Sequence, residues 1–370
     1  MQNTTSQRYI YLDNAATVRP FDSVNLAYND AEQYSWYNSS ALYTPSIEIL
    51  DKIEKTREFV ANNLGVLSSE IFFVSGATEA NNWIAQRAVK NKNGNIVYSC
   101  VEHPSVINAI KSTTCSCVQV DITKDGDLDW EDFLSKLNSQ TSLVSIAHVC
   151  GNTGTVNDIH KVVQMVKKTS PKAVVHSDGV QAWCKWDYSL RDLGVDAYTV
   201  SAHKIGGKKG LGILYAKKSL SLTPLLYGGK HESGKRAGTL NNANILSLVN
   251  AINEYKKLDI SHYFNLQQLA ISKLSKLDVK IIKGSLPHIF MVCFGGKRAE
   301  ILQRVFCDNG VIVGTGSACS SKDKTNSVLQ SRGLEEYYLN GAIRISLGPH
   351  NSLQDLEQAC DIMLKVVDNV

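Results

Sequence analysis

The chain has 370 residues, 43% of them hydrophobic and 20% charged, and a formal net charge of +4. That length holds about two domains with an ample core, while so slight a charge argues against a nucleic-acid surface. No apolar run is long enough to span a bilayer, so no membrane association is expected. The first residues, MQNTTSQRYIYLDN, are polar up to Arg8 and lack the succession of a secretory signal, which points to a cytoplasmic location. Nine cysteines, odd in number and scattered, fit reduced thiols better than a disulfide framework. Cys115 and Cys117 have one residue between them and no paired Cys/His set after them, so no metal site is expected.

In chain order, Tyr9–Leu12 reads as a first strand that enters the turn-rich Asp13-Asn14-Ala15-Ala16-Thr17. Over Tyr43–Leu64 the apolar residues Ile47, Leu50, Ile53, Val60 and Leu64 recur at helical spacing and predict a long amphipathic helix. Ile71–Val74 is a strand, followed by a Ser-Gly turn and a helix starting near Thr78. Unpaired amides at that start, with the hydroxyls of Ser75 and Thr78, suit a phosphate. The strand Asn95–Ser99 ends at CVEHPSV, which brings His103 to the same edge of the sheet. His103 is either a hydrogen-bonded loop histidine or an imidazole that stacks on a flat ring and assists proton transfer.

A helix over Val106–Lys111, a short strand over Cys117–Val120, a strand over Leu143–His148 and a helix over Ile159–Lys168 follow. The run Ala173–Asp178 then closes on an acid, and Ala197–Val200 carries the chain into Ser201-Ala202-His203-Lys204 before a Gly/Lys-rich turn and the run Leu211–Ala216. This alternation predicts a largely parallel sheet with helices between its strands. Ligands of such sheets sit beyond the carboxyl ends of the strands, where Thr78, His103, Asp178, Gln181, Ser201, His203 and Lys204 all fall. A lysine there can form an imine with an aldehyde, and an acid at the next strand end can pair with a pyridinium nitrogen. The two together suggest a pyridoxal-phosphate site.

After Tyr215 the stretch LLYGGKHESGKRAGTLNNANI is Gly-rich, basic and polar, either a mobile surface loop or a segment ordered by a neighbour. A helix over Ile245–Lys257 ends the larger part. From about Asp259 the pattern is that of a smaller α+β unit, with strands near Val279–Ile282, His288–Cys293 and Ala342–Ser346. Within it the strand Val311–Val313 opens into a Gly/Ser/Lys-rich loop holding Cys319, whose thiolate Lys322 and Lys324 favour.

The motifs YLDNAAT at Tyr11, SGATEANN at Ser75, EHPSV at Glu102, SDGVQA at Ser177, SAHK at Ser201, RAGTLN at Arg236, GSACSS at Gly316 and IRISLG at Ile343 occur in one order. On them the chain resembles the cysteine desulfurases, pyridoxal-phosphate enzymes of the class V aminotransferase group, from Tyr11 to about Gly348. The resemblance implies the α/β architecture of fold type I, with a large cofactor-binding domain over 17–256 built on a mainly parallel sheet. A small α+β domain over 257–370 would carry the cysteine loop, with 1–16 packing near it.

By the same resemblance Ala77 and Thr78 hold the cofactor phosphate, His103 stacks on the ring and serves as acid or base, and Asp178 pairs with the ring nitrogen. Gln181, Ser201 and His203 are further cofactor contacts, and Lys204 carries the cofactor and moves the α-proton. Thr239 is expected to reach the partner's phosphate across a homodimer interface, Asn14 and Arg344 to bind the substrate, and Cys319 to take the sulfur of L-cysteine, leaving alanine. One departure stands out. Members of the group carry Asn three residues after the histidine that matches His148, where it bonds the phenolic oxygen of the cofactor; this chain has Gly151 there with Asn152 next, so either Asn152 takes over that cofactor contact or the bond is lost. The eight residues between GSAC and Val328 resemble the longer-loop branch, which passes sulfur to a scaffold protein for iron–sulfur assembly or thiolation. A related aminotransferase or selenocysteine lyase, or a degenerate desulfurase acting as a binding partner in sulfur transfer, are the alternatives.

Overall fold

The apolar runs between residues 71 and 216 close into one seven-stranded sheet in the computed structural model, which describes residues 9–88, 93–315 and 328–367. The first half runs β1 (Ile10–Leu12), α1 (Asp22–Tyr34), α2 (Thr44–Leu64), β2 (Ile71–Val74), α3 (Ala77–Ala88), β3 (Asn95–Ser99), α4 (Pro104–Lys111), β4 (Ser116–Val120), α5 (Trp130–Lys136), β5 (Leu143–Ser145), α6 (Ile159–Thr169), β6 (Val174–Asp178) and α7 (Leu190–Leu193). The second half continues with β7 (Ala197–Ser201), β8 (Gly212–Ala216), α8 (Asn242–Lys256), α9 (Ile260–Leu274), β9 (Val279–Lys283), β10 (Ile289–Phe294), α10 (Ala299–Asp308), β11 (Val311–Val313), β12 (Ala342–Ser346) and a C-terminal helix, Leu353–Val366.

The large sheet has the order β2-β8-β7-β6-β5-β3-β4, and β8 runs against all the others. Six of its strands are buried along their whole length because both faces are covered, whereas the edge strand β4 is exposed at Ser116 and Gln119. Successive residues alternate between two cores: Phe73, Val97, Val144, Val175 and Ile213 join α2, α6 and α8 on one face, while Phe72, Ile96, Leu143, Val174 and Leu214 join α3 and α4 on the other. Leu143–His148 is a strand only to Ser145, although the amides of Ile146 and His148 still reach His176 O and Asp178 O across to β6.

β10 lies between β9 and β12 in an antiparallel sheet, and β1 pairs with β11 in parallel. Bridges Asp13–Ser346 and Gly314–Arg344 join these two sheets. Ile10 and Leu12 share one apolar cluster with Phe290, Val292, Val313, Ile343 and Leu356, so the first strand packs on the last third of the chain.

Along α2 the buried stripe is Ile49, Ile53, Thr56, Arg57, Val60 and Leu64, whereas Ile47 and Leu50 are exposed. The helical spacing thus mixed two adjacent faces. A polar arginine belongs to the inner one because a carboxylate from residue 232 waits there: Arg57 Nη2 lies 2.7 Å from Glu232 Oε1 and Nη1 2.8 Å from Oε2. The segment around Glu232, irregular by sequence, is therefore anchored. Glu232 and Ser233 adopt positive φ (49° and 57°) to turn the carboxylate inward, where it also accepts the Phe73 amide.

Candidate active site

Each strand of the parallel set delivers its last residues to one edge. After β2 the chain turns at Ser75-Gly76 into α3, and Gly212 of β8 lies so close to the Gly76-Ala77 backbone that a Cβ there would meet Gly76 Cα at 2.6 Å. The first-turn amides of Ala77 and Thr78 have no intrahelical acceptor, and Thr78 and Ser75 are exposed. Glu79 fastens this turn: its Oε2 accepts the Ser75 amide at 2.8 Å, and its carboxylate takes the Arg236 fork at 2.8 and 3.0 Å. Arg236 and hydrogen bonding hold the Glu79 carboxyl below its ordinary range against the opposing effect of burial. Thr239, three residues beyond Arg236, is exposed.

After β3, His103 caps α4, with Pro104 at the first helical position where no amide is needed. Its Nδ1 accepts the Ser105 amide at 3.1 Å and lies 2.8 Å from Ser105 Oγ. Asp178, at the end of β6 and buried, accepts from Val180 N at 3.0 Å and from Asn81 Nδ2 at 3.0 Å. Asn81 lies one turn into α3.

β7 ends at buried Ser201 and passes into a single turn, Ala202–Ile205, that presents His203 and Lys204. Lys204 Nζ donates to Ala15 O at 2.6 Å and Ala16 O at 2.9 Å, so the turn after β1 crosses the amine. The His203 ring meets Thr17 Oγ1 at 3.1 Å, and burial, reinforced by Lys204, pushes its pKa down to about 4. Gln181 Nε2 donates to the same Ala15 O at 2.9 Å, while its Oε1 accepts Lys185 Nζ at 3.2 Å. Burial, then the charge of Lys204, brings Lys185 down to about 7.

Arg344 of β12 faces this edge from the other sheets. Its Nη2 lies 2.8 Å from Asp13 Oδ1 and its Nη1 donates to Gly151 O at 3.0 Å, while the buried Nε has no acceptor among the described residues. Asn14 is a brace: its Nδ2 donates to Ser346 O at 2.9 Å and to Asn351 Oδ1 at 3.1 Å. Gly151 passes beside Gln181 with room for a Cβ at 3.7 Å, and the Asn152 side chain makes no hydrogen bond among the described residues. Cys319 lies outside the described residues. The eight described cysteines are free, and burial pushes the thiols of Cys100, Cys184, Cys293 and Cys360 up to about 12, unsuited to nucleophilic work at neutral pH. No group of metal-binding side chains occurs among the described residues, nor is any described helix long and apolar enough to cross a membrane.

Thr78, His103, Asp178, Gln181, Ser201, His203 and Lys204 thus all come off one sheet edge, and Arg344 approaches it from β12. Sequence reasoning missed Asp13, Asn81, Ser105 and Lys185. Asn81 had a local signal, since four residues after Ala77 places it on the same face of α3. By their chemistry an anion suits the first-turn amides of α3, a protonated ring nitrogen suits an acid such as Asp178, and an aldehyde suits an amine such as Lys204. Arg344 Nε and Asn81 Oδ1 are buried polar atoms with no partner among the described residues.

Residues 10–359 match the family Aminotransferase class-V. The cysteine desulfurase IscS of Dictyoglomus turgidum is 30% identical over 380 residues, covering 98% of this chain and 96% of the relative. A cysteine desulfurase of Nostoc sp. is 30% identical, covering 98% and 93%. Among solved structures, a NifS-like protein superposes with a TM-score of 0.91 at 31% identity, covering 98% of this chain and all of the other. SspA in complex with cysteine gives 0.81 at 27% identity, covering 92% and 99%. Matched along nearly its whole length in both sequence and fold, the chain belongs to the class V aminotransferase family.

Proposed function

We propose that this protein is a cysteine desulfurase that converts L-cysteine to L-alanine and passes the sulfur on through a persulfide at Cys319. The observation that carries this reading is the gathering of Lys204, Asp178 and His103 at one sheet edge, in a chain whose full-length relatives are named cysteine desulfurases. Pyridoxal 5'-phosphate, when bound, supplies an electron sink for bonds to the substrate α-carbon. Ala77, Thr78 and the partner's copy of Thr239 would hold its phosphate, Asp178 its ring nitrogen, His103 its face, Gln181, Ser201 and His203 its remaining polar atoms, and Lys204 its aldehyde carbon. Lys204, whose amine donates to the backbone carbonyls of Ala15 and Ala16, would exchange the proton on the substrate α-carbon. Arg344 offers the substrate carboxylate a cation with an unmet donor. The Cys319 thiolate attacks the substrate sulfur; the substrate's Cβ–S bond breaks as the new S–S bond forms, its electron pair stays with the three-carbon unit, and that unit takes up protons to leave as alanine.

The same reading makes residues 17–256 the cofactor-binding domain and 257–370 the small domain, with the first strand beside it, in keeping with the separate apolar clusters. It makes the protein a cytoplasmic homodimer. Supporting the dimer, Trp36, Leu42, Tyr43 and Tyr227 are more than half exposed, and the loop before α2 adjoins the segment after Tyr227, since Ser40 Oγ lies 2.8 Å from His231 Nε2. A scaffold protein is the acceptor that suits the loop length.

The test is to supply L-cysteine to the purified protein and measure alanine and sulfide together. Cys319→Ser should keep the visible absorbance of the cofactor and its shift on adding cysteine, yet release almost no alanine and carry no persulfide. Normal turnover by that variant, or borohydride labelling of a lysine other than Lys204, overturns the assignment. An active monomer in sedimentation removes the role given to Thr239.

A further inference from the structure

His103 and Asp178 come from different strands, yet two side chains between them form one continuous path. Asn81 Nδ2 lies 3.0 Å from Asp178 Oδ2 and 2.9 Å from Ser105 Oγ, and Ser105 Oγ lies 2.8 Å from His103 Nδ1. The direction of this path follows from donor chemistry. An ionised carboxylate only accepts, so Asn81 must turn its NH2 towards Asp178. The second proton of that NH2 goes to Ser105 Oγ and occupies one of its lone pairs. The Ser105 backbone amide donates to His103 Nδ1 at 3.1 Å and makes that nitrogen an acceptor, so the hydroxyl donates its own proton to it as well. A ring nitrogen that receives two donors carries no proton of its own, so the ring proton sits on Nε2.

We propose that Ser105 and Asn81 are positioning residues that hold His103 as the neutral, Nε2-protonated tautomer and tie that choice to the ionised state of Asp178. His103 then offers the site a ring face and an Nε2–H donor, and takes up no proton at Nε2 while the path is intact. This deepens the function proposed above, since it specifies the chemical form in which His103 meets the bound ring. Adding a proton at Nδ1 would set it against two N–H and O–H donors, so the path favours the neutral ring and lowers the pH at which His103 charges. Among the described residues, the charged groups on the elements that meet at this edge include Asp178 at the end of β6, Glu102 on the same turn as His103, Lys204 after β7, and Glu79 on α3. Glu102 Oε1 is engaged by Ser99 Oγ at 2.6 Å and by the Ala147 amide, and Glu79 is paired with Arg236.

The experiment is nitrogen-15 NMR of the histidine-labelled full-length protein, with and without added pyridoxal phosphate, the His103 signals being identified by their loss in His103→Gln. The parent protein should show Nε2 protonated and Nδ1 unprotonated at neutral pH. Ser105→Ala should raise the His103 titration midpoint by about 0.5–1 pH unit, as expected for one lost hydrogen bond. Ser105→Thr, which keeps the hydroxyl, should restore the parent midpoint, and Asn81→Ala should shift it in the same direction as Ser105→Ala by a smaller amount. A proton found on Nδ1 in the parent overturns the proposal without any variant, as does an unchanged midpoint in Ser105→Ala. Because these signals do not depend on turnover, failure of the desulfurase reading in the alanine assay leaves them separately readable.

Discussion

Arg57 and Arg344 are buried to nearly the same degree, at 8% and 7% exposure, and both face a carboxylate. They differ in how completely they are satisfied. Around Arg57 every N–H finds an acceptor: Nε and Nη2 at Glu54, Nη1 at Ile71 O, and both Nη atoms at Glu232, with the guanidinium 4.6 Å above the Phe73 ring. Around Arg344, Nη1 and Nη2 are engaged by Gly151 O and Asp13, and Nε has no acceptor among the described residues. An arginine with nothing left to give holds two distant segments together. One with a donor in reserve, at the edge where the strand ends gather, is fitted to receive a ligand, because an unmet buried donor is itself unfavourable until something arrives.

Breaking the saturated arginine should have the largest effect. Arg57→Met leaves the Glu232 carboxylate buried without its cation and should lower stability by about 3–5 kcal/mol in urea unfolding, and Glu232→Leu, which leaves Arg57 with only the half-exposed Glu54, should lower it less. The double variant Arg57→Met/Glu232→Leu should recover much of that loss, and a loss that simply adds would show that the two residues do not act as a pair.

Acid probes the same saturated interior. Burial pushes His148 and His176 down to about 4 from 6.5, so the unfolded chain takes up protons that the folded chain refuses. Their stabilising contribution is complete above about pH 6.5 and is lost as the pH falls towards 4, by about 1.4 kcal/mol per pH unit for each histidine. Unfolding measured across that window should show the decline, and substituting His176 by Asn should flatten it.

On the open side, Arg344→Lys keeps a charge but loses the fork. We expect KM for cysteine to rise roughly 10- to 100-fold with stability little changed; an unaltered KM would mean that Asp13 and Gly151 are its only partners. The smallest effect belongs to Gly151, which lacks a positive φ and has space for a Cβ. Gly151→Ala should change stability by no more than about 1 kcal/mol, and in the favourable direction. Gly154, at φ 72° with Leu286 O in the way, should tolerate Ala far less well.

Much of the site was legible in the sequence because strand ends are local events. An apolar run closing on Asp178, another closing on Ser201-Ala202-His203-Lys204, and a Ser-Gly turn before Thr78 are each set by a few neighbouring residues. Alternation of strands and helices then places them on a common edge. The large, mainly parallel sheet and its covered faces follow from the same local periodicity. What the sequence did not reveal is who meets whom. Asn81 reaches Asp178 across 97 positions, Arg57 reaches Glu232 across 175, Lys204 reaches Ala15 across 189, and Arg344 reaches Asp13 across 331. Those pairings depend on the strand order β2-β8-β7-β6-β5-β3-β4 and on β1 joining β11. Periodicity carries only which face of an element is apolar, whereas the partner of a buried polar group is decided by which elements become neighbours when the whole chain packs.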